Sequence, residues 1–360
     1  MRTGGNPHWM KDRTVDLRKY IGLGANHLLG VDIGSAAVKV VALRRRGDRY
    51  AVTAAVSARI DNAAASDTTY RAAAARALQN VLHGTGLKTR CAVCGVCGPE
   101  VAVRDFRFPA LPQDELDGAV NLEARQVCPF NIDSSAVDFQ VLTDRQQRNT
   151  GIIAAATNAA IRAKLDIVRI ASLRCVLMDI DGLALLNACR NTTGSDETSL
   201  TAVLNIGAAT TTLAVAAPNG LPFVRDIACA ADAIIKQIAK AHDTSVAHVE
   251  RNLANPAGAP FNVAEALEAA SSPLLADIAK SLRYYAAQED SRPVERVLAC
   301  GGFTLVPGFV EMLNRRLGPA VERWNPFDNM QCDADEATRE TVAQNGPVFA
   351  VAAGLAMRTV

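Results

Sequence analysis

The sequence predicts an α/β fold of two related halves facing a shared cleft, with a small α/β unit inserted into the first half. Three observations carry this reading. An apolar strand, a Gly turn and a second strand occupy residues 28–43, LLGVDIGSAAVKVVAL. The same outline returns at residues 201–216, TAVLNIGAATTTLAVA, and self-similarity of this kind marks a duplicated unit. Between the two copies, residues 98–172 change character and alternate strands with helices on their own scale.

In the first hairpin Val38, Val40 and Ala42 point one way and Lys39, Val41 and Leu43 the other, the period of two expected of a strand. The turn Gly34-Ser35-Ala36 exposes several backbone N–H groups at one point, a concavity that suits phosphate oxygens. Gly34 has no Cβ to hold a ligand away. Asp32 stands where a hydrated Mg²⁺ would bridge carboxylate and phosphates, and Lys39 adds a positive charge. Taken alone, an ordinary Gly hairpin explains the stretch equally well. The second copy changes the balance, because Asn205, Gly207, Ala208 and Thr210 repeat the turn. A nucleotide would then lie between the halves, with one phosphate turn on each side.

A third Gly turn follows a strand at 296–300. Gly301-Gly302 let a flat ring approach the backbone, and a helix is expected over 305–317 with Pro307 and Gly308 in its first turn.

Length and composition bound the function. A chain of 360 residues suggests two domains. The formal net charge of +1 gives no electrostatic reason to bind nucleic acid or an anionic membrane. With 5% aromatic residues, stacking platforms for bases are not expected either. No window has the apolar length of a membrane helix. Residues 1–27 scatter their charges and lack a signal-peptide apolar region, so they read as an extension before the first strand. Nine cysteines, odd in number and unevenly placed, fit reduced thiols in cytosol. Cys91, Cys94 and Cys97 have a metal-like spacing. They fall in a stretch that reads as extended, 90–106, where positions three apart point to opposite faces. Buried strand cysteines are therefore expected there.

The remaining elements follow in order. A third strand covers 50–58, after Arg44-Arg45-Arg46, a solvated hairpin end. A helix covers 67–83, with Asp67 as N-cap and Gly84 at its close. The inserted unit holds a helix at 113–126, stopped before Pro129, a strand at 136–142, a polar turn at 144–150, a strand at 152–156 and a helix at 158–171. A strand runs into a helix over 176–188. The polar break at 191–198 is the best boundary between halves. The second half continues with a hairpin at Pro218-Asn219-Gly220 and a third strand. Helices follow at 231–242 and 264–285, the latter interrupted by Pro273. After them come a loop at 324–330 and a last helix at 347–357. The domains expected are an extension, 1–27; a first core, 28–97 and 173–197; an inserted subdomain, 98–172; a second domain, 198–346; and a helix returning to the first, 347–360.

Three Gly turns in this order make the chain resemble the actin-like (ribonuclease H-like) ATPase superfamily. Within it the chain is similar to the PilM family of type IV pilus assembly. The matching pieces are Gly30-Val-Asp-Ile-Gly-Ser-Ala-Ala-Val-Lys39, Glu123-Ala-Arg-Gln-Val-Cys-Pro-Phe130 with Val137-Asp-Phe-Gln-Val141, Phe223-Val-Arg-Asp-Ile227, Gly301-Gly302 with Pro307-Gly308, and Asn325-Pro-Phe327. The inserted unit is similar to the extra subdomain that PilM shares with the division protein FtsA.

The resemblance implies ATP and Mg²⁺ as ligands. Asp32 would orient the Mg²⁺ waters, with Asn205 facing the same ion. Gly34, Ser35, Ala36 and Lys39 would hold phosphate from one side, and Gly207, Ala208 and Thr210 from the other. Gly301, Gly302 and Phe303 would border the adenosine, and Asp181 would stand near the attacking water. The chain also departs from the family pattern. Asn205 replaces an Asp and can neither carry charge nor accept a proton at neutral pH. Ala230-Ala231 replace a Gly-Gly, and Leu253 stands where a Lys is usual after Glu250. A weak or absent ATPase follows, with ATP as a structural ligand. The resemblance further implies a cytoplasmic scaffold peripheral to the inner membrane. It would dock the cytoplasmic tail of a PilN-like membrane protein near the inserted subdomain, and contacts with other pilus platform components fit the same role. Two other readings remain: a small-molecule kinase of the same fold, which lacks a clear base beyond Asp32, and an FtsA-like membrane filament, which wants an amphipathic C-terminal helix.

Overall fold

The computed structural model describes residues 28–61, 66–143, 148–193, 200–216, 221–288 and 291–359. The expectations for 1–27, for the hairpin tip at 218–220 and for most of the break at 191–198 lie outside these residues.

The chain opens with an antiparallel meander, β1 (Leu29–Ile33), β2 (Ala37–Arg46) and β3 (Arg49–Arg59), followed by α1 (Asp67–Thr85) and β4 (Cys91–Val96). Next come β5 (Val101–Phe108), α2 (Gln113–Val127), β6 (Ser135–Thr143), β7 (Asn149–Thr157) and α3 (Asn158–Ile170). β8 (Arg174–Ile180) and α4 (Asp181–Thr193) return to the first sheet and lead out of it. The second meander is β9 (Thr201–Ile206), β10 (Thr211–Ala216) and β11 (Pro222–Ile227). It is followed by α5 (Ala231–Ala241), α6 (Val246–Ala254), α7 (Val263–Ala286) and β12 (Arg296–Cys300). The chain finishes with α8 (Phe309–Arg316), β13 (Ala320–Arg323), β14 (Gln331–Cys332), α9 (Glu336–Asn345) and α10 (Ala350–Ala356).

The described residues form three sheets, ordered β14-β3-β2-β1-β4-β8, β11-β10-β9-β12-β13 and β5-β7-β6. In the first two, a three-strand meander is extended on the side of its first strand by two parallel strands. The registers coincide as well. Asp32 faces Lys39 in one hairpin and Asn205 faces Thr212 in the other. Gly34 N–H donates to Ala37 O at 3.0 Å, and Gly207 N–H donates to Thr210 O at 3.1 Å. The duplication is therefore one of backbone geometry.

The alternation in β2 sorts the core. Val38, Val40 and Ala42 pack with the Ala-rich face of α1 and with Ile167 and Val168 of α3. Val41 and Leu43 pack with Leu185 and Ala188 of α4 and with Leu355 of α10, in a cluster that also takes in Val203 and Leu298 of the second sheet. α4 and α10 thus lie between the two sheets, and apolar burial at roughly 25 cal/mol per Å² holds the halves together there. Trp324 and Phe327 are buried in the same cluster.

Several boundaries differ from the sequence expectation, each for a local reason. α1 is capped by Ser66, whose hydroxyl accepts from Thr69 N–H, and it ends at Gly86 in the left-handed region rather than at Gly84. The extended stretch 90–106 is two strands in different sheets, broken near Gly98. α7 is continuous through Pro273, because one lost N–H is a small fraction of a long helix with a buried face. α8 begins only at Phe309, since Gly308 takes a left-handed conformation at its N-cap. α6, α9, β13 and β14 were not anticipated. The first two carry recognisable caps, with Ser245 accepting from His248 N–H and Asp335 from Thr338 N–H.

Candidate functional site

β1 brings Asp32 to the lip of the first turn, and the antiparallel register places Lys39 opposite, with Nζ 2.9 Å from Oδ2. A Cβ on Gly34 would stand 3.1 Å from Lys39 Nζ, so the ammonium lies over the turn. Carbonyls of the turn are tied down from three directions. Ile60 N–H donates to Ala36 O at 2.9 Å, and Tyr70 Oη donates to Gly34 O at 2.9 Å. Lys164 Nζ, from α3, donates to Ile33 O. Fixing the carbonyls in this way leaves the turn pre-set for an anion.

Asp181 opens α4 directly after β8 and is 7% exposed. Its Oδ1 has no hydrogen-bond partner among the described residues. That oxygen stands 1.9 Å from where a Cβ on Gly95 would be, so only Gly at 95 admits the carboxyl. Burial, then the charge of Asp32, push its pKa up to about 7, while Lys164 and a bond to the Cys97 thiol pull the other way and Asp226 adds to the rise. Lys164 is its counterpart. Burial works against the Lys164 charge, yet Tyr70, Cys97, Asp181 and Asp32 around it raise its pKa. Sequence reasoning missed Lys164, which sits in an amphipathic helix of the inserted unit, far in sequence from any Gly turn.

In the second turn, Gly207 O and Ala208 O accept from Ala231 N–H (3.2 Å) and Asp232 N–H (2.9 Å), so the turn is docked on the start of α5. Gly301 has φ +91, and a Cβ there would meet Ile206 O at 2.4 Å and Asn205 Oδ1 at 2.6 Å. Open space surrounds the Gly302 position. Phe303 turns its ring into the core, edge-on to Phe309 at 4.7 Å, so its backbone rather than its ring borders the turn.

Two links join the halves beside these turns. Arg59, adjacent to the first turn in the β2–β3 ladder, lies 3.8 Å from Glu250 of α6. Asp226 of β11 accepts from Gly98 N–H at 2.6 Å and from Thr212 Oγ1 at 2.6 Å. Asp181 feels both Asp32 and Asp226, so one carboxyl of each hairpin region converges on it. The structure therefore gathers Asp32, Lys39 and Asp181, with Gly34, around one point. Asn205, Gly207 and Gly301 form a second group.

The Asp226–Gly98 link also floors a groove of about 680 Å³. β5 lines it with Val101, Val103, Asp105 and Arg107, alternate residues of one face. β11 contributes Phe223 and Arg225, and α7 contributes Tyr284. Phe223 contacts Tyr284 and Tyr285 at ring centroid distances of 6.1 and 5.4 Å. Tyr284 is 57% exposed, a large ring left facing solvent. β5 and β11 are each the edge strand of their sheet.

The cysteines go to separate neighbours. Cys94 meets Cys175 of β8, and Cys97 meets Asp181. Among the described residues no group of three or more His, Cys, Asp or Glu is arranged to hold a metal ion. No described helix is long and apolar enough to cross a membrane.

Comparison with known proteins adds the following. A family model described as type IV pilus assembly protein PilM matches residues 30–360. The structure of a PilM–PilN type IV pilus biogenesis complex is similar at 25% identity and a TM-score of 0.79, covering 93% of this chain and 99% of that one. The ethanolamine utilization protein EutJ from Carboxydothermus hydrogenoformans matches at 15% identity and a TM-score of 0.53, over 91% and 88% of the two chains. A diol dehydratase-reactivating factor in nucleotide-free form matches at 9% identity and a TM-score of 0.55, over 91% and 98%. These likenesses establish the actin-like ATPase fold.

Nucleotide and Mg²⁺, the ligands this fold implies, fit unequally. A phosphate anion suits two ammonium groups beside a Gly turn with anchored carbonyls. A divalent cation suits the site poorly, because Asp32 is engaged by Lys39, Asn205 is neutral and Asp181 titrates only near 7.

Proposed function

Because the chain belongs to the PilM family of type IV pilus assembly proteins, we propose that it is an actin-fold scaffold of the pilus assembly platform. In this reading it docks the cytoplasmic tail of a PilN-like inner-membrane protein and stays peripheral to the membrane through that partner. The observation that carries the reading is the groove between β5 and β11. Two sheet edges offer main-chain hydrogen bonds to an extended segment, and apolar side chains supply pockets for alternate residues of that segment. The exposed Tyr284 ring is an anchor of the kind that dominates such interfaces. The solved relative was captured with PilN, which supports the choice of partner.

The cleft fits nucleotide binding better than turnover. General-base catalysis needs an unprotonated, accessible base within hydrogen-bond reach of the attacking water. Asp32 is held by Lys39, and the free oxygen of Asp181 is buried over Gly95. In this reading Lys39 and the turn amides position phosphate, and Gly301-Gly302 border the base.

The test is calorimetric titration of the full chain with a synthetic peptide of the PilN-like protein's cytoplasmic tail. Saturable one-to-one binding, with and without ATP, is expected. No heat above buffer under either condition would overturn the docking role.

A further inference from the structure

The phosphate cleft contains a cation that no Gly turn or hairpin register announced. α3 is a helix of the inserted unit, yet Lys164 leaves it to donate to Ile33 O, one residue before the turn glycine. The bond goes to a neutral carbonyl, so the ammonium keeps its charge for something else. Around it stand Tyr70, Cys97, Asp181 and Asp32. On the far side of Asp32, Lys39 lies 2.9 Å from the carboxylate and over Gly34. The Oδ1 of Asp181 lies buried against Gly95, without a partner among the described residues. Two ammonium groups thus flank the turn where a phosphate would sit, while Asp32, which would carry a hydrated metal ion, is engaged by Lys39, and its counterpart in the second hairpin is the neutral Asn205.

We propose that Lys164 serves as a built-in cation, so that this cleft binds the phosphates of a nucleoside polyphosphate without a divalent metal ion. The proposal rests on the nucleotide reading of the cleft given above and departs from the metal dependence that the fold implies. A protein ammonium provides one fixed positive charge in partly buried surroundings, where a charge-assisted hydrogen bond to phosphate is about twice as strong as a neutral one. Lys164 cannot wash out with a chelator. Its helix belongs to the inserted unit, so the unit would help to build the anion site.

The experiment is a titration of the full chain with a fluorescent ATP analogue, once in EDTA and once in Mg²⁺. The two dissociation constants are expected to agree within about twofold, and Lys164→Met is expected to weaken both by about tenfold, the loss of one charged contact. Inorganic pyrophosphate, run as a competitor, separates recognition of the phosphates from recognition of the whole nucleotide. Displacement of the analogue by pyrophosphate in EDTA supports the proposal, and failure to displace it overturns it. If Lys164→Met does not fold, the melting temperature of the unaltered chain in EDTA decides. A rise on adding pyrophosphate supports the proposal, and no rise overturns it. Binding that requires Mg²⁺, or unchanged affinity in a folded Lys164→Met, also overturns it. Absence of nucleotide binding in both buffers overturns it too, but leaves peptide docking untouched, since the groove is tested by a different ligand.

Discussion

Asp32 and Asn205 occupy the same place in the two halves. Each stands two residues before a turn glycine and faces the second strand of its hairpin, Asp32 opposite Lys39 and Asn205 opposite Thr212. The backbone is duplicated, but the chemistry has diverged from an ion pair to two neutral side chains. Replacing Asn205 with Asp would return a second carboxylate to the cleft. Nucleotide affinity in Asn205→Asp is expected to become dependent on Mg²⁺ by about tenfold, because an added carboxylate repels phosphate unless a metal ion lies between them. The fluorescent-nucleotide titration in EDTA and Mg²⁺ reads this directly.

Gly95 and Asp181 form a second tested pair. A methyl at 95 would fall 1.9 Å from Asp181 Oδ1. Gly95→Ala is therefore expected to lower unfolding stability by about 1–3 kcal/mol, the usual cost of overpacking. In an Asp181→Ala background the same change should cost less, so urea denaturation of the four variants gives a non-additive cycle. Additive losses would mean that the carboxyl is not what Gly95 accommodates.

The pH dependence has a definite sign. Asp181 titrates near 7 in the folded chain and near 3.9 when unfolded. The folded state therefore binds more protons between those limits, and stability falls as pH rises through them. Asp226, also raised, chiefly by burial, tilts the curve the same way. Asp181→Asn should flatten the decline in melting temperature between about pH 5 and about pH 8. Parallel curves for the two proteins would contradict the assignment.

Arg358, near the end of the chain, clamps Asp179 of β8 with Nε at 2.5 Å and a second nitrogen at 2.9 Å. Both side chains are largely buried, at 13% and 8% exposure. Removing one partner of such a pair leaves an uncompensated charge, so Arg358→Ala is expected to cost about 3–5 kcal/mol in denaturant unfolding. A loss below about 1 kcal/mol would mean that water replaces the guanidinium.

Tyr284 should separate docking from folding. Its ring is exposed, so Tyr284→Ala is expected to change stability by less than about 0.5 kcal/mol. The same change should weaken the tail peptide by about tenfold, as loss of an aromatic anchor does. Calorimetry and a melting curve on one preparation measure both.

The parts of the fold that repeat were legible in the chain. The alternation of Val38, Val40 and Ala42 against Val41 and Leu43 matches the two cores those residues enter. The glycine turns declared the duplication because tight turns restrict residue type. Lys164 was not legible, because its role depends on where α3 packs, and helix periodicity says only which face is apolar. β14 has two residues and no pattern to read. The groove between β5 and β11 was hidden for a related reason. Its walls are 128 residues apart at the Gly98–Asp226 bond, and no local spacing brings them together.

Hydrogen exchange of the full chain with and without the PilN-like tail peptide tests the docking claim most directly. Slowed exchange in β5 and β11, at residues 101–107 and 223–226, is the expected result, since an added strand would cover those edge amides. Peptide binding that protects other segments and leaves both edges exchanging as before would contradict it.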